Sequence, residues 1–157
     1  MKITLLLVGK TEEAYLREGI SIYLNRLRHY IRIDFVEITE LKATRGLSQE
    51  QQKAKEAELI LKKLLPVDQV ILLDDKGTTL TSQQFADFLD KKALGSVNNL
   101  VFVVGGPYGF HESVYRRAND KISLSRMTFS HQMVRLFFTE QLYRAFTIQR
   151  GEPYHHA

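Results

Sequence analysis

The sequence predicts one α/β domain over residues 1–157, with a mainly parallel sheet and helices on both of its faces. Two continuous apolar runs, Ile3–Val8 and Leu100–Val104, are typical of strands that are buried on both sides. Segments with apolar residues at helical spacing lie between the strand-like runs, and this alternation indicates parallel strands. Ligands bind such sheets beyond the carboxyl ends of the strands.

The N-terminal half adds a helix, a strand, a loop and a second helix to the first strand. Their predicted positions are Ala14–Leu27, Ile33–Ile38, Lys42–Ser48 and from Ser48 to about Leu65. Ser48 is followed three residues later by Gln51, which is the spacing of a capping box that would open the second helix. Pro66 ends this helix.

The C-terminal half follows the same alternation. A strand is predicted over Val70–Leu73, followed by Asp74 and Asp75 and by a turn at Gly77. A helix then runs from Thr81 through Leu89, and Thr81 and Gln84 give it a second capping box. The remaining elements are a short helix over Val114–Ala118, a strand over Ile122–Leu124 and a last helix over His131–Phe146. Three strand ends therefore come together as a candidate site: Leu73, Gly105 and the segment after Leu124.

The last helix is apolar around much of its circumference. Leu136, Phe137 and Phe138 are consecutive and cover about 200° at 100° per residue. A surface helix has one apolar stripe, so this helix is expected to be buried on two sides. The second side is covered either by a subunit partner, which we favour in so short a chain, or by the core of the same chain.

The composition excludes several kinds of site. The chain has no cysteine, which excludes disulfides, a thiolate nucleophile and cysteine-ligated metals. Its five histidines show no metal-ligand spacing, so no metal site is predicted. No run of about 18 apolar residues and no secretory segment is found, and a soluble cytoplasmic protein without a membrane partner is expected.

Positive charge is concentrated in the C-terminal third. Residues 116–150 contain seven basic and two acidic residues, an excess larger than the net charge of +4 of the whole chain. Most of these basic residues are arginines, whose planar donors suit phosphates and base edges. A solvated basic face explains the charge equally well.

Two phosphate-binding motifs are absent. Gly9-Lys10 lacks the upstream glycine of a phosphate-binding loop, because that position is Thr4. No G-x-G-x-x-G follows the first strand, which argues against a nucleotide-binding Rossmann enzyme. The glycine-rich run Gly105–Gly109 instead allows either a tight turn or the close approach of a flat ligand.

Several longer motifs in the C-terminal third resemble a known family. They are Val103–Gly109, Leu124–Phe129, His131–Arg135, Glu140–Phe146 and Arg150–His155. Together with the opening Met1–Lys10, they are similar to the RlmH family, the bacterial large-subunit ribosomal RNA pseudouridine N3-methyltransferases of the SPOUT superfamily. The resemblance extends over essentially the whole chain and is weakest between residues 41 and 65.

The resemblance implies a C-terminal trefoil knot, a homodimer and an S-adenosylmethionine site near the subunit interface. The cofactor positions that it implies are Leu73, Gly105, Leu124, Ser125, Arg126, Met127, Thr128 and Phe129. The substrate that it implies is the pseudouridine at position 1915, in standard bacterial numbering, in helix 69 of 23S ribosomal RNA on the assembled ribosome.

The imide-type hydrogen on pseudouridine N3 must be removed before methylation. The candidate catalytic residues are His131, Arg135, Tyr154 and His155. The two histidines and Tyr154 are possible bases or orienting groups, and Tyr154 could also stack on a base. Arg135 and Arg144 would stabilise the anionic base or hold phosphates, unless they are only helix-surface charges. The alternative function is a non-catalytic RNA- or ribosome-binding dimer with a vestigial cofactor pocket.

Overall fold

The computed structural model describes residues 1–39 and 43–156. Lys42, the first residue of the predicted polar loop, lies outside these residues. Strands and helices alternate from the first residues to the last helix. The elements are β1 (Lys2–Val8), α1 (Ala14–Leu27), β2 (Arg32–Ile38), α2 (Gln49–Lys63), β3 (Gln69–Thr79), α3 (Ser82–Leu94), β4 (Asn99–Val104), α4 (Glu112–Arg117), β5 (Asp120–Ser123) and α5 (Met133–Gln149).

The five strands form one sheet in the order β2-β1-β4-β3-β5, and every neighbouring pair is parallel. The predicted α/β class is confirmed. Both capping boxes are present: the side chains of Ser48 and Thr81 accept the backbone N–H of Gln51 and Gln84, at 3.1 Å in each case. These caps define the starts of α2 and α3.

Helices cover both faces of the sheet, as predicted. On one face, α1, α3 and α5 pack over a core that includes Phe102 and Phe138, whose ring centroids lie 4.8 Å apart. On the other face, α2 and α4 bury a smaller cluster around Ile60 and Val114. The apolar residues of β1 and β4 alternate between these two cores, which is why their sequences are continuously apolar.

The predicted turn at Gly77 is wrong. Gly77 lies inside β3, which continues to Thr79 past an irregularity between Leu73 and Thr78 in its pairing with β5. A side chain at position 77 would place its Cβ 2.5 Å from the backbone carbon of Ile122. The glycine therefore allows two strands to approach closely and does not reverse the chain.

Candidate functional site

A groove of about 610 Å³ opens beyond the carboxyl ends of the sheet. Leu73 pairs with Val104, the last residue of β4, although β3 itself continues past Leu73 to Thr79, and the loop that follows β5 lies beside this pair. These are the three segments that the sequence analysis brings together. The volume lies in the range of small-molecule and cofactor sites.

The turn after β4 forms one wall of the groove. A Cβ at Gly105 would lie 3.0 Å from the ring of Phe110, and one at Gly106 would lie 2.8 Å from the carboxylate of Glu56. Gly109 has a φ of +82°, a backbone conformation that favours glycine. At these glycines the wall is bare backbone, which a flat ligand could approach closely.

The loop between β5 and α5 forms the opposite wall. The Ser123 hydroxyl donates to the carbonyl of Ser125 at 2.8 Å, and the Ser125 hydroxyl accepts the N–H of Met127 at 2.9 Å. These bonds hold the loop in a tight turn. The predicted cofactor residues that line the groove are Leu73, Gly105, Leu124, Ser125, Met127, Thr128 and Phe129. Arg126 is exposed and does not line it.

An acidic end of the groove was missed as a site by the sequence analysis. Asp74, Asp75 and Tyr115 all line it, and the Tyr115 hydroxyl donates a short hydrogen bond to the Asp74 carboxylate. Burial favours a higher pKa for Asp74, but the hydrogen bonds from Tyr115, Asp75 and the Lys76 backbone outweigh it and lower the pKa. The hydrogen bond to Asp74 raises the pKa of Asp75.

Asp74 is therefore held as a carboxylate that can accept hydrogen bonds from a ligand. The signal was available, because two aspartates directly follow a buried strand. The sequence does not indicate the hydrogen bond between Asp74 and Tyr115, because Tyr115 lies 41 residues further along the chain.

His131 also lines the groove, in the turn that precedes α5. The Ser130 hydroxyl accepts the N–H of Met133 at 3.1 Å and begins the helix. The neighbouring Gln132 accepts the N–H of Glu12 at 3.0 Å and donates to the carbonyl of Lys10 at 3.2 Å. The position of His131 is thus tied to the loop after β1.

Arg135 requires a correction, because it faces the interior of the protein and not a substrate. Only 1% of the surface of Arg135 is exposed. The guanidinium donates to the carbonyl of Val8 at 2.7 Å, to the hydroxyl of Thr11 at 3.0 Å and to the carboxylate of Glu37 at 3.4 Å. The reading of Arg135 as a helix-surface charge is equally wrong. The side chain anchors the start of α5, and with it the groove loop, to β1 and β2.

The tail residues Tyr154 and His155 follow α5 in the chain and pack against its C-terminal half. They do not line the groove. Tyr154 donates to Glu140 at 2.8 Å, and Arg144 contacts the Nδ1 atom of His155 at 3.2 Å. Arg144 also donates to Glu140 at 2.6 Å. The structure therefore groups the predicted catalytic residues in three places: His131 in the groove, Arg135 in the interior, and the tail residues beside Arg144.

A second cavity of about 330 Å³ lies next to the groove, with Ser123, Leu124 and Phe129 shared between them. Phe129 packs against Phe137 with ring centroids 4.9 Å apart, and both side chains are partly exposed. The sequence predicts an extensive apolar surface on α5, and Phe137 is a part of that surface that the same chain leaves uncovered.

Residues 1–39 and 43–156 contain neither a metal-binding cluster nor a membrane-spanning helix. No group of three or more histidine, aspartate or glutamate side chains in these ranges could hold a metal ion. No helix there is long and apolar enough to cross a membrane.

Comparisons with known proteins agree with one another. The family described as predicted SPOUT methyltransferase matches residues 1–155. Over 156 residues the chain is 56% identical to the ribosomal RNA large subunit methyltransferase H of Parabacteroides distasonis, covering 99% of each chain. It is 55% identical over 157 residues to the protein of the same name from Bacteroides thetaiotaomicron, again covering 99% of each chain.

A solved structure also resembles the chain in fold. It is a probable methylase family protein from Haemophilus influenzae Rd KW20, with a TM-score of 0.54 and 13% identity over 99% of this chain and 70% of that one. At this identity the likeness concerns the fold alone.

Proposed function

Because this chain belongs to the SPOUT methyltransferase family, and within it to the ribosomal RNA large subunit methyltransferases H, we propose that it methylates ribosomal RNA with S-adenosylmethionine as the donor. The observation that carries the cofactor assignment is the groove of about 610 Å³ beyond Leu73 of β3 and the end of β4. Such strand ends are the usual ligand site of a parallel sheet.

The residues of the groove fit S-adenosylmethionine. No side chain fits at Gly105 or Gly106, because a Cβ would meet Phe110 or Glu56; the groove wall is bare backbone at these positions, which a flat adenine ring could approach. The Asp74 carboxylate offers an acceptor for ribose hydroxyls or for the amino group. Leu73, Leu124, Ser125, Met127, Thr128 and Phe129 would complete the contacts. When bound, the cofactor supplies a methyl group on a positively charged sulfur.

We assign the RNA target to N3 of the pseudouridine in helix 69 of 23S ribosomal RNA, on the assembled ribosome. The support is the family resemblance in the C-terminal motifs. The chemistry requires alignment of the nucleophile and removal of one proton, and no metal. His131 lies in the groove and would accept that proton. Because bacterial ribosomes are in the cytoplasm, we also assign this activity to the cytoplasm.

The protein would act as a homodimer. Tyr154 and His155 do not line the groove of their own chain, and Tyr154 bonds to Glu140 instead, so we assign the tail to the active site of a partner. The partly exposed Phe129 and Phe137 beside the second cavity would be covered by the same contact. In this arrangement each active site combines the groove of one protomer with the tail of the other.

Ribosomes from cells that lack this gene provide the test. We expect the purified protein to bind S-adenosylmethionine in calorimetry, and to add one methyl group to helix 69, located by mass mapping of nuclease fragments. Free 23S ribosomal RNA is the matched control and should react more slowly than assembled ribosomes. Failure to bind the cofactor would favour the non-catalytic RNA-binding dimer, and a methyl group elsewhere in the RNA would reject only the assigned nucleotide.

A further inference from the structure

The C-terminal tail carries a contact that determines which nitrogen of His155 holds a proton. The Nη1 atom of Arg144 lies 3.2 Å from the Nδ1 atom of His155. Because this contact joins a guanidinium to an imidazole nitrogen and not to a carboxylate, it is not an ion pair. It is a hydrogen bond between a permanent cation and an imidazole ring.

The partners of Arg144 hold it in this position. Its Nη2 atom donates to Glu140 at 2.6 Å, and its guanidinium lies 4.8 Å from the ring centroid of Tyr154. The hydrogen bond to Glu140 is also the main reason that the pKa of Arg144 is raised. Glu140 accepts the Tyr154 hydroxyl as well, at 2.8 Å. We call these four residues, Glu140, Arg144, Tyr154 and His155, the tail cluster.

The direction of the Arg144–His155 bond follows from the donor inventory. A guanidinium has five N–H donors and no acceptor. The Nδ1 atom must therefore accept, which leaves the ring proton of a neutral His155 on Nε2. A doubly protonated ring would place a second N–H opposite the guanidinium, and this arrangement is repulsive.

We propose that His155 acts on the RNA as a neutral imidazole that donates its Nε2–H to a carbonyl oxygen of the target imide, and that it does not remove the N3 proton. The inference rests on the proposed function and deepens it. Arg144 is then a positioning residue, since it acts through the tautomer of His155. A donor at a carbonyl oxygen stabilises the negative charge that develops as N3 loses its proton.

Tyr154 is unsuited to be the base as well. Its hydroxyl proton is committed to Glu140, and burial together with hydrogen bonds to Tyr23 and Glu140 raises the pKa of Tyr154. The N3 proton consequently passes to a ring nitrogen of His131 and from there to water. N3 forms its bond to the methyl carbon while the carbon–sulfur bond breaks, with the electron pair left on sulfur.

Three substitutions of His155 separate a donor from a base. The side-chain amide of glutamine places an N–H close to Nε2, that of asparagine places one close to Nδ1, and neither is basic. We expect His155→Gln to keep its turnover on ribosomes within about tenfold of the parent, and His155→Asn and His155→Ala to lose on the order of 100-fold. A glutamine variant as inactive as the alanine variant would overturn the proposal.

A spectroscopic measurement tests the tautomer without any RNA. In protein labelled with ¹⁵N-histidine, the His155 signals, assigned by their loss in His155→Gln, should show an unprotonated Nδ1 and a protonated Nε2. Arg144→Met should abolish this preference while circular dichroism stays unchanged. A proton on Nδ1 in the parent protein would overturn the inference, whereas absence of methylation by the parent would reject the proposed function.

Discussion

The two ends of α5 each carry an arginine, nine residues apart in the sequence, and the structure uses them differently. Arg135 is enclosed, and it donates to a backbone carbonyl of β1, to a hydroxyl of the loop between β1 and α1, and to a carboxylate of β2. Arg144 is partly exposed and bonds to Glu140 and His155. Arg135 anchors α5 to the sheet, and Arg144 orients His155, which we assign to catalysis.

This contrast shows what residue type and spacing leave undetermined. Both arginines lie on one helix within a basic, arginine-rich segment, and the sequence suggests the same two roles for both. What separates them is the partner element, because the N-terminal end of α5 faces the end of β1 and the C-terminal end faces the tail. The following predictions test this separation.

The largest expected effect is on stability, from Arg135→Met. The substitution removes the donors to the buried Val8 and Thr11 and to the Glu37 carboxylate, and we expect a loss of about 2–4 kcal/mol in the free energy of unfolding. Urea denaturation followed by circular dichroism measures it. Arg135→Lys should recover only part of the loss, because one ammonium cannot span all three acceptors. Unchanged stability in Arg135→Met would refute the anchoring role.

Arg144→Met should have the reverse profile. A partly exposed ion pair contributes little, so the free energy of unfolding should change by less than about 1 kcal/mol. Turnover on ribosomes should fall on the order of 100-fold, since His155 loses its orientation. Calorimetry should give the parent affinity for S-adenosylmethionine. A large loss of stability without a loss of turnover would mean that the two ends of the helix do not differ in role.

The groove wall can be tested at Gly106. Gly106→Ala places a methyl group 2.8 Å from the Glu56 carboxylate, so either this buried carboxylate or the turn must shift, and we expect about tenfold weaker cofactor binding where the turn shifts. Gly95→Ala is the matched control, because Gly95 lies at the end of α3, outside the groove, with a φ of −81°. Equal affinities in the two variants would exclude the turn as a cofactor wall.

The smallest effect is expected where the tail is attached to the rest of the chain. Tyr30 donates to Glu152 at 2.6 Å, and this hydrogen bond raises the pKa of Tyr30 from 10.0 to about 12. Since the folded-state pKa is the higher one, the stabilisation is complete below pH 10 and is lost as the pH rises towards 12.

Tyr30→Phe should therefore cost less than about 1 kcal/mol at neutral pH and should weaken the alkaline decline in stability. Unfolding curves of both proteins across this range measure the difference. Other tyrosines titrate in both proteins, so the difference between the two is the informative quantity. Identical curves would contradict the assignment of the bond.

Much of the fold could be predicted because its signals are local. The capping boxes at Ser48 and Thr81 involve residues three positions apart, and the apolar runs of β1 and β4 are continuous. The role of Gly77 could not be predicted, because it depends on the backbone of Ile122 in another strand. Long-range contacts of this kind leave no pattern in the sequence near the residue concerned.

The candidate site divides in the same way. The groove residues could be located from the ends of strands and from the family resemblance, and the structure places all but Arg126 along one cavity. The knot and the dimer stay predictions. The burial of Arg135 and the pairing of Asp74 with Tyr115 depend on side chains that are brought together from distant segments.

The strand order has a consequence for synthesis of the protein. The first strand pairs with β4, and the bond from the Lys2 N–H to the carbonyl of Asn98 joins residues almost a hundred positions apart. A growing chain thus cannot pair β1 with β4 until β4 has left the exit tunnel of the ribosome, and both the sheet edge at β5 and the groove loop before α5 come later still. A nascent chain should consequently be unable to hold the methyl donor.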